Sequence, residues 1–86
     1  MAEDASRQAI CSHVARLLRE ERQRQKLSLN VLAERAGLSR QMVSYVEQEK
    51  RNPSLDVLLR ITESLDIKLE EVIRRSRKMV AGRTKS

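Results

Sequence analysis

The chain has 86 residues, with 18 Lys and Arg against 12 Asp and Glu, a formal charge of +6. That length holds one small domain, and 40% apolar with 35% charged residues is too apolar for a disordered chain and too polar for a membrane protein. One Cys, one His and two Gly exclude an intrachain disulfide, a closed zinc site and a glycine-rich phosphate loop, so neither a metal nor a cofactor is expected. Tyr45 is the only aromatic residue, which argues against the base-stacking platforms of single-strand and RNA binders. The longest apolar runs are three residues, far short of the ~18–20 that span a bilayer. MAEDASRQAI has no basic stretch leading into an apolar core, and a cytoplasmic protein is expected.

In chain order the pattern is helical throughout. Ile10, Val14, Leu17 and Leu18 recur at i, i+4, i+7 and i+8 and predict a first helix over residues 6–25. Ser28 caps a second over residues 29–36 with Leu32, Ala33 and Ala36 inward, and Gly37 stands where a helix end needs positive φ. Ser39 caps a third over residues 40–48. The polar connection Glu49-Lys50-Arg51-Asn52-Pro53 ends in a residue that cannot continue a helix. Ser54 then caps a fourth, with Leu55, Leu58, Leu59, Thr62 and Leu65 as its apolar face. After a break at Asp66-Ile67-Lys68 the fifth helix opens on Leu69, with Glu70 and Glu71 complementing the positive end of its dipole. No stretch alternates with period two. The predicted organisation is a tail over residues 1–5, a domain over 6–78 and a basic tail over 79–86.

The second and third helices carry the informative pattern. Ala33 is small where two helices must cross closely, Gly37 follows four residues later at the turn, and Val43 and Val46 are spaced to bury against the second helix. With those two inward, Gln41, Tyr45 and Gln48 face outward, flanked by Ser44, with Arg40 in the exposed first turn. A polar face rich in hydrogen-bonding groups is what a helix entering a DNA major groove requires.

LSLNVLAERAGLSRQMVSYVEQEKRNPSLDVLLRITESLDIKLEEVI resembles the lambda-repressor/Cro-like, or XRE-type, helix-turn-helix family, and the resemblance covers roughly residues 10–73. It implies an all-α, five-helix DNA-binding domain with the helix-turn-helix at helices 2 and 3. Carried over residue by residue, it implies base contacts from Arg40, Gln41, Ser44 and Tyr45 and phosphate contacts from Ser28, Ser39, Lys50, Arg51 and Asn52. It also implies an ion pair between Arg22 and Glu47. Arg40 could grip guanine or hold a phosphate, and Tyr45 could read a base or lean across the apolar seam. Three departures stand out: Leu29 replaces a common phosphate-binding Gln, and Lys26 and Glu49 replace common turn glycines.

The implied function is a sequence-specific, double-stranded-DNA-binding transcriptional regulator: a repressor, a restriction-modification controller or an antitoxin-like autoregulator. A homodimer on a pseudo-palindromic operator is expected, joined through Leu69, Val72, Ile73, Met79 and Val80. The alternative is a protein-interaction or anionic-membrane-surface module using the basic tail. No small-molecule ligand is expected, and an enzyme is not, because no nucleophile–base pair has an interpretable spacing. His13 and Cys11 read as structural or surface residues. Residues 1–73 balance at twelve basic and twelve acidic side chains, so the whole excess lies in Arg74, Arg75, Arg77, Lys78, Arg83 and Lys85.

Overall fold

A computed structural model describes residues 2–84 as five helices: α1 (Ala2–Arg24), α2 (Leu29–Ala36), α3 (Arg40–Glu47), α4 (Leu55–Ser64) and α5 (Leu69–Thr84). The caps form where the serines stand. The hydroxyls of Ser28, Ser39 and Ser54 accept from the amides of Val31, Met42 and Val57 at 3.1, 3.0 and 3.1 Å, each satisfying an amide with no partner inside its helix.

The helix ends share one solution. After α1, α2, α3 and α4 the backbone turns left-handed at Lys26 (φ 58°), Gly37 (φ 68°), Glu49 (φ 61°) and Asp66 (φ 58°). The next amide then reaches back five residues: Leu27 to Arg22 O, Leu38 to Ala33 O, Lys50 to Tyr45 O and Ile67 to Thr62 O, at 2.9–3.1 Å. This pairing satisfies carbonyls that the helix end would otherwise orphan. Lys26 and Glu49 therefore adopt the glycine-like conformation rather than displacing the turn.

One core sits between the helices, built from Val14, Leu17 and Leu18 of α1, Leu32 and Ala33 of α2, and Val43 and Val46 of α3. Ile61 of α4, Leu65 at the end of α4 and Val72 of α5 complete it. Thr62 and Ser76, fully buried, turn their hydroxyls onto carbonyls of their own helices, Leu58 O at 3.0 Å and Val72 O at 2.9 Å. Buried His13 faces this interior with no hydrogen-bond partner at Nδ1.

Two predicted boundaries differ. α1 begins at Ala2, inside the segment expected as a tail, and α5 runs to Thr84, into the segment expected as the basic tail. The two helices pack along each other more extensively than any other pair. Once they are paired, each added residue gains a hydrogen bond at little further cost, and nothing in either sequence breaks the helix. Of the predicted tails, Met1, Lys85 and Ser86 lie outside the described residues, as do the side chains of residues 2–5 and of Arg83 and Thr84.

The fourth helix is corrected in its facing. Ile61, Thr62 and Leu65 are buried and Leu58 is half-buried, but Leu55 and Leu59 are 65% and 39% exposed. Leu59 lies 100° round the helix from Leu58, and Leu55 stands in the first turn, at the margin of the core.

Candidate nucleic-acid interface

α2 and α3 cross over small side chains. Ala33 and Ala36 are 3% and 4% exposed, and Val43 and Val46 of α3 are shut away at 0% and 2%. Gly37 makes the corner; a Cβ there would lie 3.1 Å from Nη1 of Arg60. Burying the valines turns the opposite face of α3 to solvent, where Arg40, Gln41 and Gln48 are exposed and Ser44 and Tyr45 half-buried.

The polar side chains on that face are paired one turn apart. Gln41 Nε2 donates to the Tyr45 hydroxyl at 2.6 Å, and Gln48 Nε2 donates to Ser44 Oγ at 2.6 Å. Arg51, in the connection after α3, lays its guanidinium over the Tyr45 ring, 5.5 Å from the centroid.

The face is held from behind by α1. Arg22 Nε and Nη2 donate to the two carboxylate oxygens of Glu47 at 2.7 and 2.9 Å, and Nη1 donates to Leu27 O at 2.8 Å. Both side chains are largely withdrawn from water, at 12% and 7% exposure. The bond to Glu47 raises the Arg22 pKa above its ordinary value, outweighing burial, which lowers it. Ser12 Oγ adds a second tie, donating to Glu49 Oε1 at 2.5 Å just past α3.

The residues expected to touch phosphate flank this face. Ser28 and Ser39 are exposed at the starts of α2 and α3, their hydroxyl oxygens accepting the cap bond and their hydroxyl protons left to donate. Lys50, Arg51 and Asn52 are exposed in the connection between α3 and α4. Leu29, in place of a phosphate-binding Gln, packs against the core.

Residues 18–72 match the family described as Helix-turn-helix. This chain belongs to the helix-turn-helix family.

Solved structures agree in fold. The restriction-modification controller protein C.AhdI from Aeromonas hydrophila superposes with a TM-score of 0.68 at 36% identity, over 73% of this chain and 94% of that one. A mutant of the restriction-modification controller protein C.Esp1396I has a TM-score of 0.75 at 20% identity, over 85% and 95%, a likeness of fold alone. Among curated relatives, a protein assigned as an HTH-type transcriptional regulatory protein of Methanocaldococcus jannaschii is 43% identical over 54 residues, and one of Methanococcus maripaludis is 41% identical. Those matches take in 63% of this chain but only 17% of the relatives' length. Family and fold together make this an all-α, XRE-type helix-turn-helix domain.

The residues expected at a dimer contact divide. Leu69 and Val72 are 6% and 3% exposed; their side chains are committed to the helix-turn-helix core, and little of either is left to meet a second chain. Ile73 and Val80 are half-buried and Met79 is 40% exposed. The leucines Leu55 and Leu59, expected on the apolar face of α4, are exposed. Their i, i+4 spacing was visible, but leucine alone does not say which face of a short helix turns inward.

An open groove of about 790 Å³ lies between α1, the α3–α4 connection and α5. Its floor is apolar at Ile10, Leu58 and Ile73, and Arg7, Arg51 and Arg77 stand around it. Arg77, from the basic C-terminal stretch, thus lines the same groove as Arg51 and Asn52 of the connection that carries expected phosphate contacts.

Proposed function

We propose that this chain is a sequence-specific transcriptional regulator of double-stranded DNA that lays α3 in the major groove. The observation that carries the reading is the exposed polar face of α3. Arg40, Gln41, Ser44 and Tyr45 are turned outward by the burial of Val43 and Val46. In this reading those four meet base edges, while Ser28, Ser39, Lys50, Arg51 and Asn52 clamp the phosphates on either side. It acts by binding, not by catalysis, in the cytoplasm, as a homodimer on a pseudo-palindromic operator. Met79, Val80 and Ile73 of α5, with Leu55 and Leu59 of α4, supply the apolar surface for the second copy. Among repressors, restriction-modification controllers and antitoxin-like autoregulators, the 36% identity to C.AhdI favours a controller-type regulator.

Selection of bound sequences from random duplex DNA tests this. The expected product is an inverted repeat whose half-sites lie about one helical turn, ~10 bp, apart. An enriched pool with no common motif, or retention on anionic liposomes and not on DNA, would overturn it.

A further inference from the structure

The recognition face carries an arrangement that binding alone does not require. Gln41 is exposed on a long, flexible side chain, and such a side chain free in solvent presents either end of its carboxamide to a base. Here it does not rotate freely: Nε2 donates to the Tyr45 hydroxyl at 2.6 Å. Tyr45 is itself restrained. It is half-buried, Arg51 lies over its ring at 5.5 Å, and its carbonyl accepts from the Lys50 amide at 2.9 Å.

The carboxamide has two N–H donors and one acceptor oxygen. When the N–H pointing away from Oε1 is the one given to Tyr45, the other N–H and Oε1 remain, side by side on one edge of the amide. That edge is a donor next to an acceptor. Adenine presents the complement in the major groove, an acceptor at N7 and a donor at N6, whereas guanine presents two acceptors, N7 and O6. Cytosine offers only its N4 donor, and thymine a carbonyl beside a methyl group. Against guanine the fixed Oε1 would face O6, two acceptors with no proton between them.

We propose that Tyr45 is a positioning residue for sequence recognition: by holding one amide hydrogen of Gln41 it fixes the carboxamide to read adenine through N6 and N7. The inference rests on α3 being the major-groove helix. Arg51 acts at one remove, as a clamp on the ring.

The test is competition binding of the full chain against its selected operator, with all four bases placed in turn at the position whose preference Gln41→Ala erases. The readout is the ratio of affinities between bases, which a uniform loss of binding or stability leaves unmoved. The unaltered chain should favour adenine by about 10-fold or more, the scale of a bidentate contact. Tyr45→Phe, which keeps the ring and removes the oxygen, should narrow that ratio to about 3-fold or less. Gln41→Ala and the double variant Gln41→Ala/Tyr45→Phe should be alike at this position, because without the amide the phenol has nothing to hold. Should Tyr45→Phe fail to melt cooperatively, Arg51→Ala serves in its place and should narrow the ratio part-way. A preferred base other than adenine, or an adenine preference unchanged by loss of the phenol or its clamp, would overturn the inference while leaving DNA reading by α3 intact. Absence of any base preference in the unaltered chain would overturn both.

Discussion

Arg22 does more than neutralise Glu47. It bridges three elements, because Nη1 reaches Leu27 O in the turn after α1 while Nε and Nη2 meet a carboxylate at the end of α3. A buried ion pair adds little net stability over apolar packing, but removing one partner strands the other charge out of water. Arg22→Ala is therefore expected to cost ~3–5 kcal/mol in chemical denaturation, and replacing both partners by apolar residues should cost much less. The left-handed turn residues make a second contrast. Lys26 is exposed with φ 58°, a conformation that crowds any Cβ, so Lys26→Gly should raise stability by about 0.5–1 kcal/mol. Gly37→Ala should lower it by about 1–2 kcal/mol, since the same conformation there meets Arg60 Nη1 at 3.1 Å. Glu49 is the poorer candidate for glycine, because it would lose the bond from Ser12.

Elements are joined here by a few side chains at their ends. Gln25, after α1, donates both to Glu21 Oε2 at 2.8 Å and to Leu65 O at 2.7 Å, fastening the end of α1 to the end of α4. Arg24 binds the same carboxylate. The bond from Arg24 first, and that from Gln25 next, hold the Glu21 carboxyl below its ordinary pKa against the opposing effect of burial. An acid whose folded pKa is depressed takes up its proton earlier in the unfolded chain as pH falls. Its contribution is thus complete above the ordinary carboxylate range and is lost as pH drops through the lowered folded value. Glu21→Gln should melt lower than the unaltered chain at pH 7, and the difference should shrink on acidification below pH ~4. Equal differences at both pH values would show that the carboxylate charge plays no part. The helix α3 shows the same logic: eight residues long, it is too short to persist alone and takes its orientation from Val43, Val46 and the Arg22–Glu47 tie.

Across the whole molecule, the net charge of +6 does not spread evenly along the chain. The chain through residue 73 is balanced, and the excess begins at Arg74. Yet α5 carries Arg77 to the wall of the groove that Arg51 also lines. At least part of the excess therefore belongs to the same surface as the expected phosphate clamp. Arg77→Ala should reduce the slope of log affinity against log salt by about 1 and leave base preference alone. Titration on cognate and scrambled duplexes would show it, and an unchanged slope would place Arg77 outside the DNA contact.

Much was legible in the sequence because its signals are local. Capping serines, a glycine after α2 and apolar spacings of three and four residues fix where helices start, stop and turn their faces, and those interactions lie within one or two turns. The motif from Leu27 to Ile73 carried the family, and the outward set on α3 followed from burying two valines. What only the tertiary structure decided depends on partners distant in sequence. Leu55 and Leu59 carry the same side chain as Leu58 and Leu65, and only the position of the core separates those turned out from those turned in. Leu69 and Val72 could have faced a second chain until α5 packed along α1 and buried them. The extension of α1 and α5 into the predicted tails has that same cause. The hold of Tyr45 on Gln41 is a local pair, but the ring is kept in place by Arg51 from the next connection. Hydrogen bonds inside a helix are set by neighbours in the chain, whereas burial is set by whatever folds against it.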